Sequence, residues 1–109
     1  MNFISTRNAA PTVTLSQAIA AGLAPDGGLY VPDALPPARD LVPGRDIADT
    51  AATVLAPFFA GDALEGELAA ICREAFDFPA PLRALGTPGD HVLELFHGPT
   101  AAFKDFGAR

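Results

Sequence analysis

The 109-residue sequence has one cysteine, one lysine, no cluster of basic residues and no long hydrophobic run. A single cysteine, Cys72, excludes an intrachain disulfide and points to a reducing compartment. Its place in the apolar stretch ELAAICREAF marks a buried structural thiol rather than a nucleophile. Seven basic residues against thirteen acidic ones give a net charge of −6. That balance argues against a nucleic acid or an anionic membrane surface as partner, and is read as favouring solubility. The opening segment, MNFISTRNAAP, lacks the apolar h-region of a secretory signal. The most apolar run, AATVLAPFFAG, is too short to span a bilayer and contains a proline. A cytoplasmic protein without a metal site is expected.

What is present suits one small domain. Half of the residues are hydrophobic, enough for a core, and 11 prolines and 10 glycines are spread along the chain. Such spreading predicts many turns between short elements, not a disordered tract.

Residues 3–6 (FIST) read as a short strand. A helix then follows from Thr14, which has capping-box spacing to Gln17, with Leu15, Ala18, Ile19 and Leu23 on one face. Gly22 and Pro25 end it. Asp26-Gly27-Gly28 predicts a tight turn into a strand at Leu29-Tyr30-Val31, and residues 32–45 read as a surface connection. A second helix is expected from Asp46, with Ile47, Ala51, Val54, Leu55, Phe58 and Phe59 as its apolar stripe and Pro57 kinking or ending it. A third is expected behind Asp62 and Glu65, burying Leu64, Leu68, Ile71, Cys72 and Ala75, and closing at Asp77–Pro81. Residues 84–90 read as a link and His91–Phe96 as a strand. His97–Thr100 reads as a turn before the first turns of another helix. Because a dense motif occupies the last residues, the chain is expected to be part of a longer one.

Lys104 is the only lysine beside six arginines. A chain that builds its positive charges from arginine but keeps one lysine suggests a position needing a primary amine, which can lose its proton and attack a carbonyl. An exposed surface charge is the competing reading. Gly98, Thr100, Ala101 and Ala102 precede it and Phe103 flanks it. Apolar crowding of that kind disfavours the charged amine. Asp105 reads either as a local ion-pair partner or as a helix N-terminal charge.

The segment LELFHGPTAAFKDFGAR (Leu93–Arg109) resembles the cofactor-lysine motif of the threonine synthase family, within the fold type II pyridoxal-phosphate enzymes. Three further blocks resemble that family in the same order: Ser5-Thr6-Arg7, Gly22–Pro32 and Ala75–Pro81. The resemblance implies that Lys104 is the lysine that binds pyridoxal 5'-phosphate. His97, Gly98, Pro99 and Thr100 would form the loop that sets its position, with His97 and Thr100 also candidates to bind substrate. His97 is either a cofactor-side group or a turn histidine bonding backbone. Ser5, Thr6 and Arg7 either face the substrate, with Arg7 meeting a phosphate, or serve an N-terminal structural role. Asp26-Gly27-Gly28 is either a required turn or the border of the active site.

The implied reaction converts O-phospho-L-homoserine and water to L-threonine and phosphate. A related phosphate-eliminating lyase and a non-catalytic folding or assembly module are the alternatives. The fold expected is α/β: helices packed on short strands over residues 1–90, then the first strand and helix start of the cofactor-binding domain over 91–109. No phosphate-cradling glycine loop and no partner for the cofactor's ring nitrogen are evident, so this chain alone is expected to be inactive. The oligomeric state is not set by the sequence. Without its normal partners, the segment after residue 96 is expected to dock on another copy or to be poorly ordered.

Overall fold

The first strand, β1 (Phe3–Ser5), forms because it has a partner on each side. It pairs antiparallel with β2 (Tyr30–Pro32), with Phe3 opposite Pro32 and Ser5 opposite Tyr30. On its other side Phe3 exchanges two backbone hydrogen bonds with Val13. These features come from a computed structural model that describes residues 1–37 and 44–108. Of the expected connection over residues 32–45, positions 38–43 lie outside the described residues, as does Arg109.

Helix α1 (Leu15–Ala21) has the ends read from the sequence. The Thr14 hydroxyl accepts from the Gln17 N–H and the Gln17 side chain accepts from the Thr14 N–H, satisfying two donors that the helix leaves open. Gly22 follows at φ 71°, a left-handed conformation that a glycine adopts without Cβ clash. Leu15 and Ala18 are buried with Phe3, and Met1, Val13, Tyr30 and Phe59 pack against them. Ile19 and Leu23, expected on that face, are each 60% exposed. A helix face is buried only where another element covers it, and this short helix meets its neighbours through Leu15 and Ala18.

Helix α2 (Ile47–Phe59) starts behind Asp46, whose side chain accepts from the Asp49 N–H. It runs two residues past Pro57 before Ala60 leaves the helical conformation. Its one buried residue is Ala48 rather than a member of the larger stripe, and Val54 is exposed. The small side chain lets α2 approach α3 (Leu68–Ala75) closely. Ala48, Leu68 and Cys72 make the second core, with Leu55, Phe59 and Phe76 around them. Phe59 packs against both cores and so joins them.

The expected cap of the third helix is replaced by a different device. Asp62 Oδ1 accepts from the Leu64 N–H and Glu65 accepts from the Gly61 N–H, which shapes the bend; a single 3-10 turn (Glu65–Glu67) then precedes α3. Asp62 Oδ2 reaches instead to Ser16, accepting from its N–H and its hydroxyl. One carboxylate thus ties the first turn of α1 to the α2–α3 connection. Ile71, expected to be buried on α3, is exposed.

The strand expected over His91–Phe96 is shorter. Strand β4 (His91–Leu93) pairs with β3 (Leu82–Ala84), an antiparallel partner that the sequence pattern did not reveal. All six residues of this hairpin are exposed, so it carries none of the apolar alternation that marks a half-buried strand. Past Leu93 only the Glu94 N–H continues the pairing, to the Pro81 carbonyl. The hairpin spans position 90, where the division between two domains was expected. Helix α4 (Asp105–Ala108) is docked by Phe106, which stacks on Phe76 at 6.4 Å and meets Phe78 edge-on at 4.9 Å. The segment after residue 96 therefore returns to the end of α3. Among the described residues, no helix is long and apolar enough to cross a membrane. The mixed helix-and-strand class expected from the sequence is the class observed.

Candidate functional site

The residues singled out in the sequence fall into two groups, one at the end of β1 and one along the segment that leads to α4. The first lies where β1 ends beside the turn that leads to β2. Ser5 is 1% exposed; its hydroxyl donates to Asp26 Oδ1 at 2.7 Å and accepts from the Arg7 N–H at 3.1 Å. Asp26 also accepts from the Gly28 N–H at Oδ1 and from the Ala9 N–H at Oδ2. The Ser5 hydroxyl, opposed in part by burial and helped by the two backbone N–H groups and Arg7, holds the Asp26 carboxyl below its ordinary range. Gly28 lies against this cluster so closely that a Cβ there would collide with Ser5 Oγ and come within 3.0 Å of Asp26 Oδ1.

Thr6 and Arg7 are exposed. Thr6 Oγ1 accepts from the Leu29 N–H at 3.0 Å, which ties it to the approach to β2. One Arg7 guanidinium nitrogen donates to the Asp26 carbonyl at 3.0 Å, and the side chain makes no salt bridge among the described residues. The Arg7 guanidinium thus keeps free donors at the surface, whereas the Ser5 hydroxyl is engaged within the loop. The Asp26-Gly27-Gly28 turn is stabilised by Ser5 and Arg7, residues from the opening block.

The second group flanks Lys104 in sequence and holds two separate sets of bonds, one at Glu94 and one at Asp105. His97 is exposed, and its Nε2 bonds Glu94 Oε2 at 2.7 Å, not backbone as the turn reading anticipated. Arg83 Nε stands 3.6 Å from the other Glu94 oxygen, so β3 contributes to the same group. The turn over Gly98–Ala101 is closed by the Ala101 N–H donating to the Gly98 carbonyl. Thr100 donates twice to Asp105: its N–H to Oδ2 at 2.9 Å and its hydroxyl to Oδ1 at 2.8 Å. Asp105 opens α4, as a helix N-terminal charge would, but it is buried and its partners are these neutral donors rather than a cation.

Lys104 itself is exposed, and its side chain has no hydrogen bond or ion pair among the described residues. Its exposure means that the apolar crowding expected around it is not found among the described residues. Its carbonyl accepts from the Gly107 and Ala108 N–H groups, which fixes its backbone to the start of α4. No hydrogen bond or ion pair among the described residues joins the Ser5–Arg7 cluster to the Lys104 cluster. Sequence reasoning missed Glu94 as the partner of His97 and Asp105 as the holder of Thr100. The glycine at 98 and the carboxylate at 105 carry a signal only when their packing is seen.

Chemically, the second group presents an unpaired primary amine beside a tightly held turn. The first presents a surface guanidinium with unused donors. No group of His, Cys, Asp and Glu among the described residues could hold a metal ion.

Comparison with known proteins gives concordant matches. A family model described as "Threonine synthase N terminus" matches residues 2–76. Threonine synthase from Pseudomonas aeruginosa is 43% identical over 115 aligned residues, which cover 97% of this chain and 24% of the relative. The crystal structure of PLP-bound threonine synthase from Brucella melitensis is similar with a TM-score of 0.81 at 39% identity, over 96% of this chain and 24% of that one. Threonine synthase from Escherichia coli gives a TM-score of 0.81 at 34% identity, over 98% and 26% of the two chains. The chain spans about a quarter of the length of the relatives it matches.

Proposed function

This chain belongs to the threonine synthase N-terminus family, and from that premise we propose that it is the opening part of a cytoplasmic, pyridoxal-phosphate-dependent lyase that converts O-phospho-L-homoserine and water to L-threonine and phosphate. The observation that carries the reading is Lys104. The only lysine of the chain is an exposed amine, free of partners among the described residues, beside a turn held by partly buried hydrogen bonds.

These residues fit the cofactor in the one respect this chain can meet. Covalent capture of an aldehyde needs a reachable primary amine without a competing ion pair, and Lys104 provides it. When bound, pyridoxal phosphate supplies that aldehyde and a ring that takes up electrons from the substrate α-carbon. Lys104 Nζ then has two tasks. It would hold the cofactor, and as a free amine it would move protons at the substrate α- and β-carbons. In the overall conversion the γ-carbon would exchange phosphate for a proton, the β-carbon would give up a proton, and water would add at the β-carbon. Arg7, with its unused donors, is suited to an anionic group of the substrate, and His97 and Thr100 belong to the loop that sets the lysine. The remaining groups of the site would come from the three quarters of the family length that this chain does not span.

The experiment is to supply O-phospho-L-homoserine to the full-length enzyme. Threonine and phosphate in equal amounts are expected, and Lys104→Ala should abolish both. Ammonia and 2-oxobutyrate would instead identify an eliminating lyase. Undiminished threonine formation by Lys104→Ala would remove the catalytic assignment. The 109-residue chain alone should be inactive and bind pyridoxal phosphate poorly; borohydride reduction with the cofactor that left stoichiometric label on Lys104 would overturn the expectation of poor binding.

A further inference from the structure

Asp105 is the only charged residue buried among the described residues, at 4% exposure, and it directly follows the exposed Lys104. Burial of a carboxylate is costly unless its oxygens are satisfied. Here both are satisfied by one residue, Thr100, through its N–H at Oδ2 and its hydroxyl at Oδ1. The carboxylate therefore bridges the start of α4 back to the turn before the lysine. Gly98 supplies the space: a Cβ there would lie 2.7 Å from Asp105 Cβ and 2.8 Å from Cγ, so a larger residue would displace the bridge.

The turn thus closed is not a relaxed one. Ala101, next to Thr100, has φ 54°, the left-handed region that costs a non-glycine residue and persists when its surroundings enforce it. On the far side, the Lys104 carbonyl is fixed by Gly107 and Ala108, and the Asp105 N–H by the Ala102 carbonyl. Lys104 stands between the two restraints. We propose that Asp105 is a positioning residue for Lys104, holding through Thr100 the strained turn that aims the amine. The inference rests on Lys104 being the cofactor lysine. It also assigns Thr100 to the holding of the loop, since its hydroxyl proton goes to Asp105.

The test uses the full-length enzyme and two independent readouts. Asp105→Ala should lower kcat about tenfold or more while KM moves less than about twofold, since a lysine slightly misplaced loses rate rather than affinity. In the cofactor-free protein the Thr100 amide should exchange with solvent at least about tenfold faster, its acceptor having gone. Asp105→Asn can still accept from the Thr100 N–H and donate to the Thr100 oxygen, so it should recover most of kcat and of the exchange protection. The proposal fails if Asp105→Ala keeps its kcat, if kcat falls without faster exchange, or if Asn is as damaging as Ala. Should Asp105→Ala not fold, Thr100→Val removes only the hydroxyl donor. A fall in kcat of about threefold at unchanged folded fraction supports the proposal, and an unchanged kcat overturns it. Threonine formation surviving in Lys104→Ala is a different result, which refutes the assignment of the lysine itself.

Discussion

The Ser5 hydroxyl donates to the Asp26 carboxylate at 2.7 Å, joining the end of β1 to the turn that leads into β2. This bond makes the loop's stability depend on pH. Asp26 is held below its ordinary range chiefly by Ser5, so the folded state binds its proton more weakly than the unfolded state does. The stabilisation is present above the unfolded value of about 4 and is lost as pH falls through the lower folded value. Asp49, beside Arg45, and Asp62, under the Ser16 N–H, shift in the same direction. Urea midpoints measured from pH 7 down to pH 3 should therefore decline, and Asp26→Asn should flatten that decline. Equal slopes for the two proteins would contradict the assignment.

Gly28→Ala should destabilise the chain by about 2 kcal/mol, the usual cost of forcing a methyl into a filled site. Its Cβ would strike Ser5 Oγ and crowd Thr6 Oγ1 at 3.1 Å. Gly86→Ala is the control, because nothing lies within 4 Å of its Cβ position. Denaturant unfolding should show the first shifted and the second unchanged or slightly stabilised.

Thr14→Ala should cost about 1 kcal/mol, since it leaves the Gln17 N–H at the start of α1 without its acceptor. Thr14→Ser, which retains the oxygen, should recover most of the loss in thermal unfolding. An Ala variant as stable as the parent would mean that packing of Leu15 and Ala18 and the Asp62–Ser16 bonds hold α1 without the cap.

Cys72 should resist thiol reagents until the chain unfolds. It is 2% exposed, and burial pushes its thiol above the ordinary range, with Arg73 only partly opposing. Reaction with a disulfide reagent at pH 7.5 should be slow in buffer and fast in denaturant. Rapid native labelling would indicate that the α2–α3 core opens readily.

The limits of the sequence were physical ones. The ends of α1 were legible at Thr14 and Gly22 because capping depends on neighbouring residues. The start of α2 at Asp46 was legible for the same reason. The apolar face of α1 was misjudged at Ile19 and Leu23 because periodicity states which residues share a face, not whether anything covers it. Strand β3 was missed because its three exposed residues exist as a strand only through pairing with β4. The spacing of Asp62 and Glu65 suggests a local cap, whereas one Asp62 oxygen serves Ser16, 46 residues away.

By itself the sequence determined Lys104 as the one primary amine among the side chains, the four ordered blocks that carry the family likeness, and the local signals that start and stop α1. Tertiary structure decided how those blocks meet. It buried Ser5 against Asp26, left the Arg7 guanidinium with donors unused among the described residues, bonded His97 to Glu94, and folded Asp105 back onto Thr100 while Lys104 stayed at the surface. Capping and turn formation act between residues a few positions apart, so composition and spacing reveal them. Burial and the choice of hydrogen-bond partner depend on what the folded chain brings alongside, which spacing does not encode.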